Sequence, residues 1–90
     1  MALMFPNSSR SYDATRRAVR FWGYDSAMEW SFFVTAEALK QIRPSMDPDE
    51  AGMLGVFDAH LDLIRAAAAK LYLRGRKGSY ELGVAEFCGA

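Results

Sequence analysis

The chain of 90 residues holds one cysteine, Cys88, and one histidine, His60. A lone thiol closes no internal disulfide, and a small fold without bridges suits a reducing compartment, so a cytoplasmic location is expected. No neighbour in the sequence argues for a depressed Cys88 pKa, which leaves an inert thiol. Zinc needs three or four ligands, and a helical pair with His60 would need a ligand at the fourth residue on, where Ile64 stands. No metal or cofactor is expected. The chain has neither a G-x-S-x-G elbow nor a phosphate-binding glycine loop, so an enzyme is not expected either. Lys and Arg number 11, as do Asp and Glu, so there is no global electrostatic case for nucleic acid or anionic lipid. No apolar run is long enough to span a membrane, and the opening MALMFPNSSRSYD lacks the basic and apolar regions of a signal peptide.

What the chain does have is apolar and aromatic mass, 51% and 13% of its residues. A single domain over 1–90 buries about two-thirds of the surface its unfolded form exposes, and each large side chain fully buried contributes about 1.5–3 kcal/mol. From Ala18 to Thr35 the sequence AVRFWGYDSAMEWSFFVT alternates with period two on both sides of a polar turn. It reads as a β-hairpin. Odd-numbered Val19 and Phe21 must share a face with even-numbered Trp30 and Phe32, which requires an even-length connection. A two-residue loop at Asp25 and Ser26, or four residues from Tyr24 to Ala27, pairs Phe21 with Trp30 and Val19 with Phe32.

Leu3 to Phe5 reads as a short strand ended by Pro6, and Asn7 to Asp13 as a polar loop whose Asp13 caps one turn through Arg17. Thr35 caps a short helix over 36–42, stopped by Pro44. Asp47-Pro48-Asp49-Glu50 then has the form of a helix start, with a capping aspartate, proline at the first position and two acids at the positive dipole end. One long helix over 48–73 is predicted, about 37 Å at roughly 1.5 Å per residue, with Ala51, Leu54, Phe57, Leu61, Ile64, Ala68 and Leu71 as its apolar stripe. Gly52 and Gly55 each cost about 1 kcal/mol against alanine. Charged residues between Pro44 and Ile64 are all acidic and those from Arg65 to Gly78 all basic, as suits the two ends of one helix dipole. Tyr80, Leu82 and Val84 alternate in a strand over 79–84. The expected fold is α+β: a small, mostly antiparallel sheet packed on one long and one short helix.

The opening Phe5-Pro6, Tyr12-Asp13 ahead of Val19-Arg20-Phe21, the long helix and the closing strand after Arg74-Gly75-Arg76-Lys77-Gly78 resemble the bacterial family known as domain of unknown function 1488. The resemblance covers nearly the whole chain and implies a single small α+β domain. It implies no activity and no functional residue.

On the sheet face turned away from the helices, Arg20, Trp22, Glu29, Ser31 and Phe33 are expected. Two exposed aromatics there, Trp22 and Phe33, beside a basic connection carrying Arg74, Arg76 and Lys77, form the candidate interaction surface. Leu3 and Phe5, a second subunit or another protein could cover it. Bases stacked on the two rings, with phosphates on the basic loop, are the alternative. Against nucleic acid, Glu29 is expected across from Trp22. The G-x-x-G of Gly52 to Gly55 matches the KH module only in its glycines, since Leu54 belongs to the apolar stripe and no basic residue lies between. The expected function is a non-enzymatic interaction domain, either a homodimer or the binder of a protein partner.

Overall fold

A computed structural model describes residues 3–5, 10–25, 28–74 and 79–87. Strands β1 (Arg10–Asp13), β2 (Ala18–Asp25) and β3 (Met28–Thr35) precede helices α1 (Ala36–Ile42), α2 (Glu50–Ala59) and α3 (Leu61–Arg74). Strand β4 (Ser79–Leu82) and a 3-10 turn at Val84–Glu86 follow. The sheet runs β1-β2-β3-β4. β1, β2 and β3 are antiparallel neighbours, while β4 lies parallel to β3. The fold is therefore α+β on a mixed sheet, because the helices carry the chain back before β4 begins.

The hairpin spans the predicted residues, but its register is displaced. Asp25 pairs with Met28, Gly23 with Trp30, Phe21 with Phe32 and Val19 with Val34. Two residues intervene, Ser26 and Ala27, so the even length holds and each side chain keeps its face. The shift aligns Phe21, Phe32 and Tyr80 in one row across three strands, with ring centroids 5.4 and 5.1 Å apart in stacked pairs. Such pairs contribute about 0.5–1.5 kcal/mol beyond burial. The shift also sets Gly23 beneath the N-terminal segment, where an added Cβ would stand 3.0 Å from Phe5 and 3.1 Å from Leu3.

The predicted strand at 3–5 is a single bridge, Met4 to Tyr24, with two backbone hydrogen bonds of 2.7 and 2.8 Å. Leu3 and Phe5 pack into the core on the helix side, Phe5 lying 6.1 Å from Phe21. They do not cover the opposite face. The end of the predicted loop is strand β1, hidden from the sequence reading because its RSYD lacks an apolar alternation. Asp13 does cap the next turn, accepting from the Arg16 amide at 3.1 Å.

The long rod is divided at His60. Its amide turns to the Phe57 carbonyl at 3.2 Å, and the imidazole Nδ1 takes up the Val56 carbonyl at 3.0 Å, the acceptor that a continuous helix would assign to that amide. A carbonyl only accepts, so Nδ1 carries the proton. The break lets each half meet a different part of the curled sheet: α2 lays Phe57 5.2 Å from Phe21, and α3 lays Tyr72 5.7 Å from Trp30. Tyr72 also donates to the Asp25 carboxylate. The buried stripe is Met53, Val56, Phe57, Ile64, Ala67, Ala68 and Tyr72, whereas Ala51 is exposed and Leu54 half-buried. Both halves still cover the predicted face.

The cap of α2 is Asp49, whose carboxylate accepts from the Gly52 amide at 2.7 Å, and Pro48 lies outside the helix. The Asp47 carbonyl packs over Gly52, a path closed to a chain already helical at Pro48. Thr35 caps α1 as expected, accepting from Ala38 at 3.1 Å. β4 ends at Leu82, and Val84 is exposed in the 3-10 turn, where Glu86 accepts from the Gly83 amide at 2.7 Å.

Candidate interaction surface

Parity places Arg20, Trp22 and Tyr24 of β2 beside Phe33, Ser31 and Glu29 of β3 on the helix-free side of the sheet. Phe33 is 6% exposed and yet stands outside the hydrophobic cluster that the helices close. Its cover is cationic. The Arg16 guanidinium carbon lies 4.2 Å from the ring centre and that of Arg20 lies 5.6 Å from it, with Arg20 also 5.1 Å from the Trp22 ring. Each such contact contributes about 0.5–1 kcal/mol at an exposed site and about 2 kcal/mol when desolvated.

Local structure explains how Arg16 gets there. The turn at 14–17 is held at one end by Asp13 and at the other by the Arg17 carbonyl, which accepts from the Ala36 amide at 3.0 Å. Arg17 takes the left-handed conformation at φ 51, so the chain reverses over the sheet and Arg16 projects onto Phe33. Arg20 donates through Nη2 to Ser31 Oγ at 3.0 Å, while its Nε is buried without a hydrogen-bond partner among the described residues. Among the described residues no carboxylate stands within 4.0 Å of Arg20, and Arg16 meets Asp13 only at 3.9 Å.

Glu81 of β4 flanks Phe33 on the side opposite Arg20 and is exposed. Glu29 lies across from Tyr24, not Trp22, and accepts the tyrosine hydroxyl at 2.7 Å. That hydrogen bond, with smaller contributions from desolvation and from the carboxylate charge, raises the Tyr24 pKa above its ordinary value.

Of the predicted surface residues, the fold gathers Arg20, Trp22 and Phe33. Phe33 is covered rather than open, which denies a base its ring, and Trp22 is half-buried. Arg76 and Lys77 lie outside the described residues, as does the side chain of Arg74. Sequence reasoning missed Arg16 and Glu81. The Asp13 turn was the signal for the first, and the period-two phase of 79–82 was the signal for the second.

Elsewhere, Asp58, Ala59, His60, Leu61, Asp62 and Leu63 line an open depression of ≈ 470 Å³ at the helix break. Asp58 is held by Arg10 at 2.8 and 3.0 Å and His60 Nδ1 by Val56, so two of its polar groups are already engaged. Among the described residues no group of three His, Cys, Asp or Glu side chains is placed to hold a metal, and no helix is long and apolar enough to cross a membrane. Cys88 lies outside the described residues.

Residues 3–82 match the family model "Protein of unknown function (DUF1488)". The chain belongs to the DUF1488 family. The architecture of this DUF1488 domain is similar to the crystal structure of a protein of unknown function from the same family in Shewanella loihica PV-4. The TM-score is 0.78 at 16% identity, over 89% of this chain and 90% of that one. At that identity the likeness concerns the fold alone. Comparison with the curated proteins finds no match.

Proposed function

We propose that this DUF1488 domain is a non-enzymatic interaction module that self-associates through the helix-free face of its sheet. The observation that carries the reading is Arg20, a guanidinium laid over Trp22 and Phe33 with no carboxylate within 4.0 Å among the described residues. A guanidinium on an aromatic platform gains a charge-assisted partner when an acidic group closes over it. The same face carries Glu29 and Glu81, of which Glu81, in the row of Arg20 and Phe33, offers a second copy the carboxylate that Arg20 lacks among the described residues. Those carboxylates also repel a phosphate backbone, which favours a copy of this chain over a nucleic acid.

Sedimentation of the wild-type protein over a wide concentration range tests this. A concentration-dependent dimer that weakens when Trp22 is replaced by alanine is expected. A strict monomer at every concentration overturns the reading.

A further inference from the structure

Phe33 sits on β3 with Arg20 as its neighbour on β2 and Glu81 as its neighbour on β4, so all three occupy one row across the outer face. Adjacent strands are about 4.8 Å apart, which places the Arg20 and Glu81 backbone positions at equal distances on either side of Phe33. Both are charged, Arg20 has no carboxylate partner among the described residues, and Glu81 is exposed. In a closed symmetric dimer each patch meets its own copy, so residue i of one chain touches residue j of the other, and the reverse. Two sheets meeting face to face are related by an axis lying in the plane between them. An axis along β3 above Phe33 exchanges the β2 and β4 sides while keeping the row.

We infer that the outer face pairs with a second copy about such an axis, with the Arg20 guanidinium, aided by Arg16, receiving the Glu81 carboxylate of the other chain in two reciprocal contacts. This rests on the self-association proposed above and specifies its register. Stacked sheets stand about 10 Å apart, a gap that an extended Glu81 of one copy spans toward the guanidinium lying over the Phe33 ring of the other. An axis across the strands through the same row would set Arg20 against its own copy, a like-charge contact that the β3 axis avoids. Glu29, also on β3, lies along the axis and approaches its own copy, so it opposes association.

Charge exchange provides the test. Arg20→Glu alone sets carboxylate against Glu81 in both contacts, and Glu81→Arg alone sets cation against Arg20 in both. Each is expected to raise the dimer dissociation constant at least about tenfold, which corresponds to about 1.4 kcal/mol. Mixing the two variants restores both contacts in a heterodimer that neither forms as a homodimer. Arg16→Glu, at a turn residue whose side chain is 51% exposed, repeats the first arm should Arg20→Glu perturb the fold. Glu29→Gln is expected to tighten the dimer. Sedimentation of each variant and of the mixture reads all of these outcomes, with circular dichroism confirming folding. A wild-type monomer overturns the self-association reading itself. A wild-type dimer that Glu81→Arg leaves unchanged, or a mixture that fails to re-associate, overturns the Arg20–Glu81 pairing alone.

Discussion

Gly52 lies so close under Asp47 that a Cβ built on it would stand 2.1 Å from the Asp47 carbonyl oxygen. No backbone contact tolerates that approach, so Gly52→Ala must displace the approach to α2 or the first turn itself. Gly55, one turn on, has nothing among the described residues within 4 Å of an added Cβ. Alanine there gains helix propensity without meeting a neighbour. Gly55→Ala is expected to stabilise the protein by up to about 1 kcal/mol and Gly52→Ala to destabilise it, with urea denaturation reading the opposite signs. Equal shifts in one direction would mean that close packing at Gly52 does not govern its identity.

The two aspartates flanking Pro48 differ in role. Asp49 accepts from the Gly52 amide at 2.7 Å, whereas Asp47 contributes its backbone carbonyl to the packing over that glycine. Asp49→Ala is expected to cost about 1 kcal/mol, as loss of an N-cap does, and Asp47→Ala a few tenths. Thermal melts of the two variants side by side measure the difference. A larger loss at Asp47 would place the start of α2 two residues earlier.

The hairpin, α1 with its Thr35 cap, the turn at Asp13 and the mixed α+β composition were legible because each rests on a local signal: period two, a capping hydroxyl, a carboxylate three residues before an amide. The hairpin register was not, because parity restricts the loop to even lengths without choosing among them. The observed register sets Phe21 beside Phe32, which in turn lies beside Tyr80, a residue distant in sequence. The break at His60 was invisible for a related reason. Nothing in AHL is a helix breaker, and the interruption arises from the need to bring Phe57 and Tyr72 onto separate parts of one curled sheet. For the surface, β2 and β3 revealed Arg20, Trp22 and Phe33, but only the path of the turn shows that Arg16 closes over Phe33.

Arg10 ties β1 to the end of α2 through two hydrogen bonds to Asp58, of 3.0 and 2.8 Å, and the pairing raises the arginine pKa. Both side chains are about a third to a half exposed, at 34% and 47%, so solvent screens the pair. A double-mutant cycle over Arg10→Ala and Asp58→Ala is expected to give a coupling of at most about 1 kcal/mol that shrinks in high salt. Because β1 lies at the sheet edge, hydrogen exchange at its amides is expected to rise in either single variant. Unchanged exchange would show that pairing with β2 alone holds the strand.

Tyr24 supplies a pH dependence with a definite sign. In the unfolded chain its phenol loses a proton near pH 10, the ordinary tyrosine value. In the fold the hydroxyl donates to Glu29 at 2.7 Å, and that hydrogen bond raises the pKa because ionisation would remove the donor beside a carboxylate. Above about pH 10 the folded state therefore holds a proton that the unfolded state has released. The stabilising contribution is complete below that pH and is lost as pH climbs through the raised value. Replacing Tyr24 by phenylalanine is expected to lower stability at neutral pH, where the contribution is complete, and to leave a shallower fall above pH 10. Glu29→Gln is expected to return the Tyr24 titration, followed through its ring carbon resonances, toward the ordinary value. If Tyr24 titrates identically with and without the Glu29 carboxylate, the hydrogen bond is not what holds its proton.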